Sequence, residues 1–198
     1  MLMKPLLSVI TPTRGRPQLL AHCLVSVKQQ ELPVQHVVIS DGPDPTAEAL
    51  CRHYGATYAA CPAPTSNFGN SPRDLGVKLA QTEYLAFWDD DNLFMPHAAR
   101  ELITTVWDAD LAVLQIEHWH RHRKYMRVIP ESWGGEFLGF HIDTACFCVR
   151  AHFWRANALS LETARPLEPY SADHTLCEKM RHLGARIKFK PTVIATHI

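Results

Sequence analysis

Short apolar runs alternate with helix-length stretches through the first half of this chain. Leu6 to Thr11, Val34 to Ser40, Ala56 to Cys61 and Tyr84 to Trp88 read as strands. Between the first two, Pro17 stands where a helix can begin, and Leu19, Leu20, Leu24 and Val27 recur at helical spacing. Ala47 to Tyr54 and Pro72 to Ala80 supply two more helices, and Pro96 to Trp107 a fourth, amphipathic one. Strand and helix in strict alternation predict a parallel sheet covered by helices on both faces. The breaks are equally plain. Asp41-Gly42-Pro43-Asp44-Pro45 is a loop by its Gly and Pro content, and Cys61 to Ser71 is a longer one, of a length that often carries function.

Beyond Trp107 the pattern loosens. Leu111 to Glu117 reads as a strand, Lys124 to Ile129 as another, Ser132 to His141 as a Gly-rich loop and Thr144 to Arg150 as strand-like. Tyr170 to Leu183 is helical, and two short strands, Arg186 to Phe189 and Val193 to Thr196, complete the expectation. With no repeat, low-complexity tract or linker, the 198 residues are expected to form one domain with a core that needs no disulfides.

Composition narrows the function classes. Lys plus Arg equal Asp plus Glu at 20 each, so no global field favours nucleic acid or an anionic membrane, and charge selectivity must be local. The longest apolar runs are strand-sized and the start resembles no signal peptide, so a soluble cytoplasmic protein without a transmembrane segment is expected. Peripheral membrane contact stays compatible with that. Six scattered cysteines without Cys-x-x-Cys spacing read as small core residues. Of twelve histidines, three cluster in Glu117-His118-Trp119-His120-Arg121-His122-Arg123. On a strand His118, His120 and His122 would share a face and could hold a metal. No carboxylate or cysteine completes a clear ligand set, which favours an exposed polar strand or loop.

The chemistry concentrates at Asp89, Asp90 and Asp91, directly after the apolar run ending in Trp88. Like charges packed at a strand end are costly unless a cation or solvent offsets them, and Mg²⁺ or Mn²⁺ carrying a phosphate would do so. A solvated acidic turn is the plain alternative. Three other strand ends are also polar: Thr11 to Arg14 after the first, Asp41 after the second and Asn67 to Arg73 after the third. In an open α/β sheet these ends converge on one cleft.

These residues resemble the inverting nucleotide-sugar glycosyltransferases of the GT-A fold, family 2-like, which include bacterial cell-surface polysaccharide transferases. The resemblance covers nearly the whole chain. Ser8 to Arg16 is similar to that family's first strand and loop, Ser26 to Gln30 to the end of its first helix, and Val37 to Gly42 to its second strand. Asn67-Phe68-Gly69 and Arg73-Asp74-Leu75-Gly76 resemble its Asn-x-Gly loop and Arg-Asn-x-Gly helix start, with Asp74 where Asn is usual. Asp89-Asp90-Asp91 followed by Pro96 resembles its Asp-x-Asp element. The resemblance implies a Rossmann-like, mainly parallel α/β sheet, with residues 1–95 as the nucleotide-binding half and 96–198 as the acceptor-binding and catalytic half.

It also implies roles. Thr11, Pro12, Thr13, Arg14, Asp41, Asn67, Arg73, Asp89 and Asp90 would contact the nucleotide-sugar donor, with Asp41 accepting a uracil ring N–H and Arg73 forking onto the base or a phosphate. Asp91 and His197 would bind Mn²⁺ or Mg²⁺. Asp173, in Ser171-Ala172-Asp173-His174, would be the catalytic base, with Ala172 in place of the usual Glu; helix capping by Asp173 is the other reading. Trp133, Glu136 and Asp143 would meet the acceptor, a saccharide or other hydroxyl compound, although an ordinary turn with core aromatics would look the same.

Other classes fit less well. A sugar nucleotidyltransferase usually carries a Gly-rich basic loop after its first strand, where this chain has Thr-Pro-Thr-Arg-Gly-Arg-Pro. An aspartyl-nucleophile phosphatase places its Asp-x-Asp after the first strand rather than the fourth. A module that binds a nucleotide without transferring sugar remains the non-enzymatic alternative.

Overall fold

The computed structural model of the chain describes residues 4–120, 125–135, 137, 141–162 and 172–198. Among them, nine strands form one sheet: β1 (Leu7–Thr13), β2 (Val34–Ser40), β3 (Thr57–Ala60), β4 (Tyr84–Phe87), β5 (Asn92–Phe94), β6 (Leu111–His120), β7 (Tyr125–Ile129), β8 (Phe147–Arg150) and β9 (Ile187–His197). The order is β3-β2-β1-β4-β8-β6-β9-β5, with β7 paired to β6. β1 is parallel to β2 and β4, β2 to β3, and β6 to β9. β8 runs antiparallel between β4 and β6, so β1 to β4, β6 and β9 all point the same way. Their carboxyl ends form one rim, and the chain order reverses between β1 and β4.

The helices are set by local signals. α1 (Pro17–Lys28) opens on proline and buries Leu20, Cys23, Leu24 and Val27. α2 (Pro45–Tyr54) is capped by Asp44, which accepts from Thr46 N and Ala47 N at 3.0 Å each, and Gly55 ends it in the left-handed conformation. α3 (Asn70–Leu79), α4 (Ala98–Val106), α5 (Ala151–Ala156) and α6 (Ala172–His182) follow. Both sheet faces are covered. Val38 packs with Leu20, Leu24, Ala47 and Cys51, while its neighbours Val37 and Ile39 belong to the larger core.

Gly76 fixes how closely α3 lies on β1: a Cβ there would fall 2.4 Å from Ile10 Cγ2. All six cysteines are buried free thiols. No helix among the described residues is long and apolar enough to cross a membrane.

The second half differs from the expected elements in four places. β5 and α5 are additional, the first too short and the second too weakly periodic to stand out. Thr144–Cys146 is a 3-10 turn rather than strand, because the Asp143 carboxylate accepts from Ala145 N at 2.8 Å and turns the chain. Finally, the two expected terminal strands are one. Pro191 falls where the β6–β9 register shifts, between the pairs Val113–Phe189 and Gln115–Val193, and a bulge tolerates its missing N–H.

Candidate active site

Four strand ends meet as expected, and the three aspartates after β4 have three different environments. Asp89 receives the guanidinium of Arg73, whose own side chain is buried at the start of α3 and also donates to Phe68 O at 2.9 Å. Asp90 is fully buried, accepts from Thr13 Oγ1 at 2.7 Å and is paired with Arg16. Asp91 accepts from Arg16 Nη1 at 2.9 Å, and its Oδ2 lies 3.8 Å from His197 Nε2. Burial pushes the Asp90 carboxyl up to about 6; Thr13 and Arg16 pull it down, and Asp91 and Asp89 push it further up.

The separation between Asp91 and His197 is too long for a hydrogen bond. It suits two ligands of one ion, since donors about 2.1 Å from a shared Mg²⁺-sized cation lie roughly 3–4 Å apart. An oxygen with an imidazole nitrogen is a donor set Mn²⁺ accepts readily. These two side chains therefore fit a divalent cation whose other ligands come from a diphosphate or water. Among the described residues no three His, Cys, Asp or Glu side chains are gathered for a metal. Of the histidine run, His118 has its ring 5.1 Å from that of His197; His122 and the side chain of His120 lie outside the described residues.

The loop after β3 folds over the second strand end. Asp41 accepts from Thr65 N and Thr65 Oγ1, both at 2.7 Å, and from Ser66 N at 3.0 Å. Burial raises its pKa, but those hydrogen bonds and Arg14, 3.6 Å away, outweigh it and leave it below the usual range. Arg14 also donates to Ser66 Oγ at 2.7 Å. Asn67 accepts from Ser71 N at 3.2 Å and donates to Ser71 Oγ at 2.6 Å, which starts α3. Gly69, at φ +79°, is required: a Cβ would sit 3.0 Å from both Pro12 Cβ and Arg73 Nη1. Thr11 turns its hydroxyl away, 2.9 Å from His36 Nε2 and 3.9 Å from Cys23 Sγ, leaving only its main chain to the rim.

The second half brings Asp143 and Asp173 to the same charge cluster as Arg73 and Asp89. Both carboxyls are pushed above the usual carboxylate range, first by desolvation. Repulsion from Asp89 adds to this in both and Arg73 opposes it. Asp173 lies in the first turn of α6. The next residue, His174, donates from Nε2 to Phe137 O at 2.7 Å, and Phe137 N donates to Glu178 at 3.1 Å. Two side chains one helical turn apart thus grip the main chain of one residue, Phe137, on both sides. Trp133 packs edge-on to Phe137, ring centroids 4.6 Å apart, beside a cavity of about 150 Å³ lined also by Pro130, His141 and Ile142. Glu136 lies outside the described residues.

Sequence reasoning gave no role to Arg16 or Phe68. Arg16 is the counter-charge of Asp90 and Asp91, and its place in a Thr-Arg-Gly-Arg loop facing an acidic rim was the available signal. Phe68 is 59% exposed with φ +60°, a backbone state costly for an aromatic residue and often kept for function. Buried Arg73 Nε, Trp88 Nε1 and Asn92 Oδ1, on residues that border the acidic cluster, have no hydrogen-bond partner among the described residues.

Asp74, the departure from the usual Asn, has a clear task. Its carboxylate accepts from Ser160 Oγ at 2.5 Å, Leu161 N at 2.9 Å and Glu162 N at 3.1 Å. One Oδ accepts twice and the other once, with no donor needed from residue 74.

A reversal of strand order over an acidic strand end, with helices on both faces, defines a GT-A protein, a Rossmann-like α/β class. The chain belongs to glycosyl transferase family 2, which it matches over residues 8–159. It is 28% identical over 124 residues to 4,4'-diaponeurosporenoate glycosyltransferase of Staphylococcus aureus (strain USA300), a match that takes in 60% of this chain and 33% of that protein. The chain thus spans about a third of that relative's length. Among solved structures, S. aureus TarS 1-349 superposes with a TM-score of 0.75 at 17% identity, covering 98% of this chain and 60% of that one. The same protein in complex with UDP gives 0.73 at 20% identity with the same coverage. The mannosyltransferase PcManGT from Pyrobaculum calidifontis, in complex with GDP-Man and Mn²⁺, gives 0.67 at 12% identity over 98% of this chain and 57% of that one.

Proposed function

We propose that this chain is a metal-dependent inverting glycosyltransferase that moves a sugar from a nucleoside-diphosphate donor, a UDP-sugar, to an acceptor hydroxyl. The observation that carries the reading is the meeting, on one rim, of the Arg73–Asp89 pair, the Asp91–His197 pair and the carboxyls of Asp143 and Asp173. Family membership and the likeness to folds solved with UDP, UDP-GlcNAc and GDP-Man with Mn²⁺ support it.

The roles follow from the chemistry of each group. Asp41 holds the wall of the base pocket and keeps acceptor capacity on Oδ2 for a ring N–H. Arg73 presents a charge to the base or a phosphate oxygen, and an acceptor reaching it would relieve its unpaired Nε. Asp91 and His197 would hold the cation, which supplies charge neutralisation at the diphosphate when bound. Asp173 takes the proton of the acceptor hydroxyl. The acceptor oxygen bonds to the anomeric carbon as that carbon's bond to the β-phosphate oxygen breaks, and the nucleoside diphosphate leaves. A base whose carboxyl sits above the ordinary range is better matched to this proton than an exposed aspartate.

The alternative, a nucleotide-binding module without transfer, rests on Ala172 alone once Asp74 has a structural task. Calorimetry of UDP with Mn²⁺, with Mg²⁺ and with chelator tests the donor half. Binding should depend on metal and weaken in Asp91→Asn only when metal is present. Equal loss without metal would mean that Asp91 acts on folding, and no binding of UDP, GDP or dTDP would remove the transferase reading.

A further inference from the structure

Arg16 sits on the oxygen that a cation would need. Its Nη1 donates to Asp91 Oδ2 at 2.9 Å, and that same oxygen is the one 3.8 Å from His197 Nε2. A dication held between Asp91 and His197 therefore meets a guanidinium already bonded to its carboxylate oxygen. A monocation and a dication at contact distance repel strongly, even with the screening found near a protein surface. The two are alternatives at Asp91 Oδ2.

Only one of the two guanidinium contacts stands in the way. Nη2 rests on Asp90 Oδ1, and Asp90 is fully buried and held on its other oxygen by Thr13 Oγ1 at 2.7 Å. The backbone of Arg16 is fixed as well, since it opens α1 and its carbonyl accepts from Leu20 N at 3.0 Å. The side chain is 44% exposed and makes no capping bond to the helix. Nη1 can thus leave Asp91 while Nη2 stays on Asp90, which keeps the freed N–H groups on the rim. Guanidinium N–H groups suit phosphate oxygens, and the positive end of α1 at Pro17 favours an anion at the same place.

We propose that Arg16 is a hand-over residue: it neutralises Asp91 in the metal-free protein, and its Nη1 moves to the diphosphate of the nucleotide when a cation takes Asp91. Without nucleotide, cation binding breaks the Arg16–Asp91 pair and offers Nη1 no new anion. With nucleotide, Nη1 gains a phosphate oxygen. Cation and diphosphate therefore bind together more favourably than their direct contact alone provides, which is a coupling between two ligands carried by one side chain. The nucleotide in this account rests on the transferase reading, whereas the hand-over itself needs only a cation and a diphosphate.

The test compares two affinities whose expected changes have opposite signs. Mn²⁺ binding to the chain alone is titrated by EPR, and UDP and inorganic pyrophosphate are titrated by calorimetry at saturating Mn²⁺, for wild type and Arg16→Gln. The variant should bind Mn²⁺ alone roughly two- to fivefold more tightly, and UDP and pyrophosphate about tenfold more weakly. Both affinities lowered would make Arg16 an organiser of the site, both raised a simple competitor, and an unchanged diphosphate affinity an idle group; each overturns the proposal. Because Arg16→Gln leaves the buried Asp90 without its partner and can lose the fold, a second readout uses the wild type. In spectra of ¹⁵N-arginine protein, the Arg16 side-chain signal, identified by its absence from Arg16→Lys, should shift with Mg²⁺ plus pyrophosphate and stay in place with pyrophosphate under chelator. A signal that Mg²⁺ plus pyrophosphate leaves unmoved overturns the proposal too. Opposite signs with pyrophosphate, but no UDP binding by wild type, keep the hand-over and remove the transferase reading. Metal-dependent UDP binding without the opposite signs does the reverse.

Discussion

The two halves of the sheet are built differently. From β1 to β4 every pairing is parallel, each helix returns the chain to the next strand, and the groups proposed to meet the donor sit at or just beyond strand ends. From β6 to β9 the pairings are mixed, antiparallel to β7 and β8 and parallel to β9, and the groups of interest sit on a 3-10 turn at Asp143 and a helix start at Asp173, tied in by side-chain bonds to main chain at Ala145 and Phe137. The first half is a scaffold that carries its polar side chains at strand ends. The second holds its buried carboxyls on attachments to the sheet. Loss of chemistry and loss of stability should therefore separate between the halves.

The largest expected effect is on the attached side. Asp173→Asn should lower transfer about 10²- to 10⁴-fold, with the melting temperature and UDP affinity of the wild type; loss of UDP binding along with transfer would show that the base belongs to the scaffold. The wild-type acid limb of kcat/KM should lie above the ordinary carboxylate range, because Asp173 must lose its proton to act as base and the folded chain raises that carboxyl.

Stability should show the opposite partition. Gly76→Ala should cost about 1–3 kcal/mol by denaturant unfolding, since a new Cβ meets Ile10 and the helix-propensity gain of alanine offsets only part. Gly134→Ala, in the loop after β7 with nothing within 4 Å of the new Cβ, should stay within roughly 0.5 kcal/mol. Equal costs would erase the contrast.

Smaller still is a pH effect confined to the scaffold. Burial against α1 pushes His36 down to about 3. The unfolded imidazole, near 6.5, takes up its proton first, so the contribution is present above that pH and is lost as pH falls toward 3. Wild type should lose about 1–2 kcal/mol relative to His36→Gln between pH 7.5 and 5; parallel curves would show that the ring is solvated.

The smallest concerns the rim where the halves meet. Arg16 occupies the carboxylates of Asp90 and Asp91 as a counter-charge, so Arg16→Gln should tighten Mn²⁺ binding without nucleotide by roughly two- to fivefold, the scale of a half-exposed ion pair. Mn²⁺ titration by EPR measures it, and weaker binding would mean that Arg16 organises the site instead of competing for it.

Legibility in the sequence follows the same division. β2, α2 and the run from Tyr84 to the aspartates were readable because periodicity, caps and loop residues agree locally. β5 was not, since its formation depends on a partner distant in the chain, β9; α5 was not, since six residues are too few for a helical period to show. The convergence of four strand ends was legible from topology alone. The division of labour among Asp89, Asp90 and Asp91 was not, because identical residues acquire different tasks from Arg73, Thr13 and Arg16, which sequence spacing does not orient. Phe68 and Arg16 stood inside recognised segments, yet their exposure and pairing are properties of the folded loop.

Among the described residues β5 has one neighbour in the sheet, β9, with Asn92 opposite His197. During synthesis roughly a hundred residues must leave the ribosome between the two, which at about 5–20 residues per second takes roughly 5–20 s. The nascent chain can form the β1 to β4 scaffold in that interval, but Asp91 waits beside an unpaired strand edge until β9 slides in between β6 and β5. On the proposed roles of Asp91 and His197, the ability to grip a cation arrives only with β9, so a ribosome-bound intermediate halted before β9 would form the β1 to β4 sheet and is expected to carry no metal.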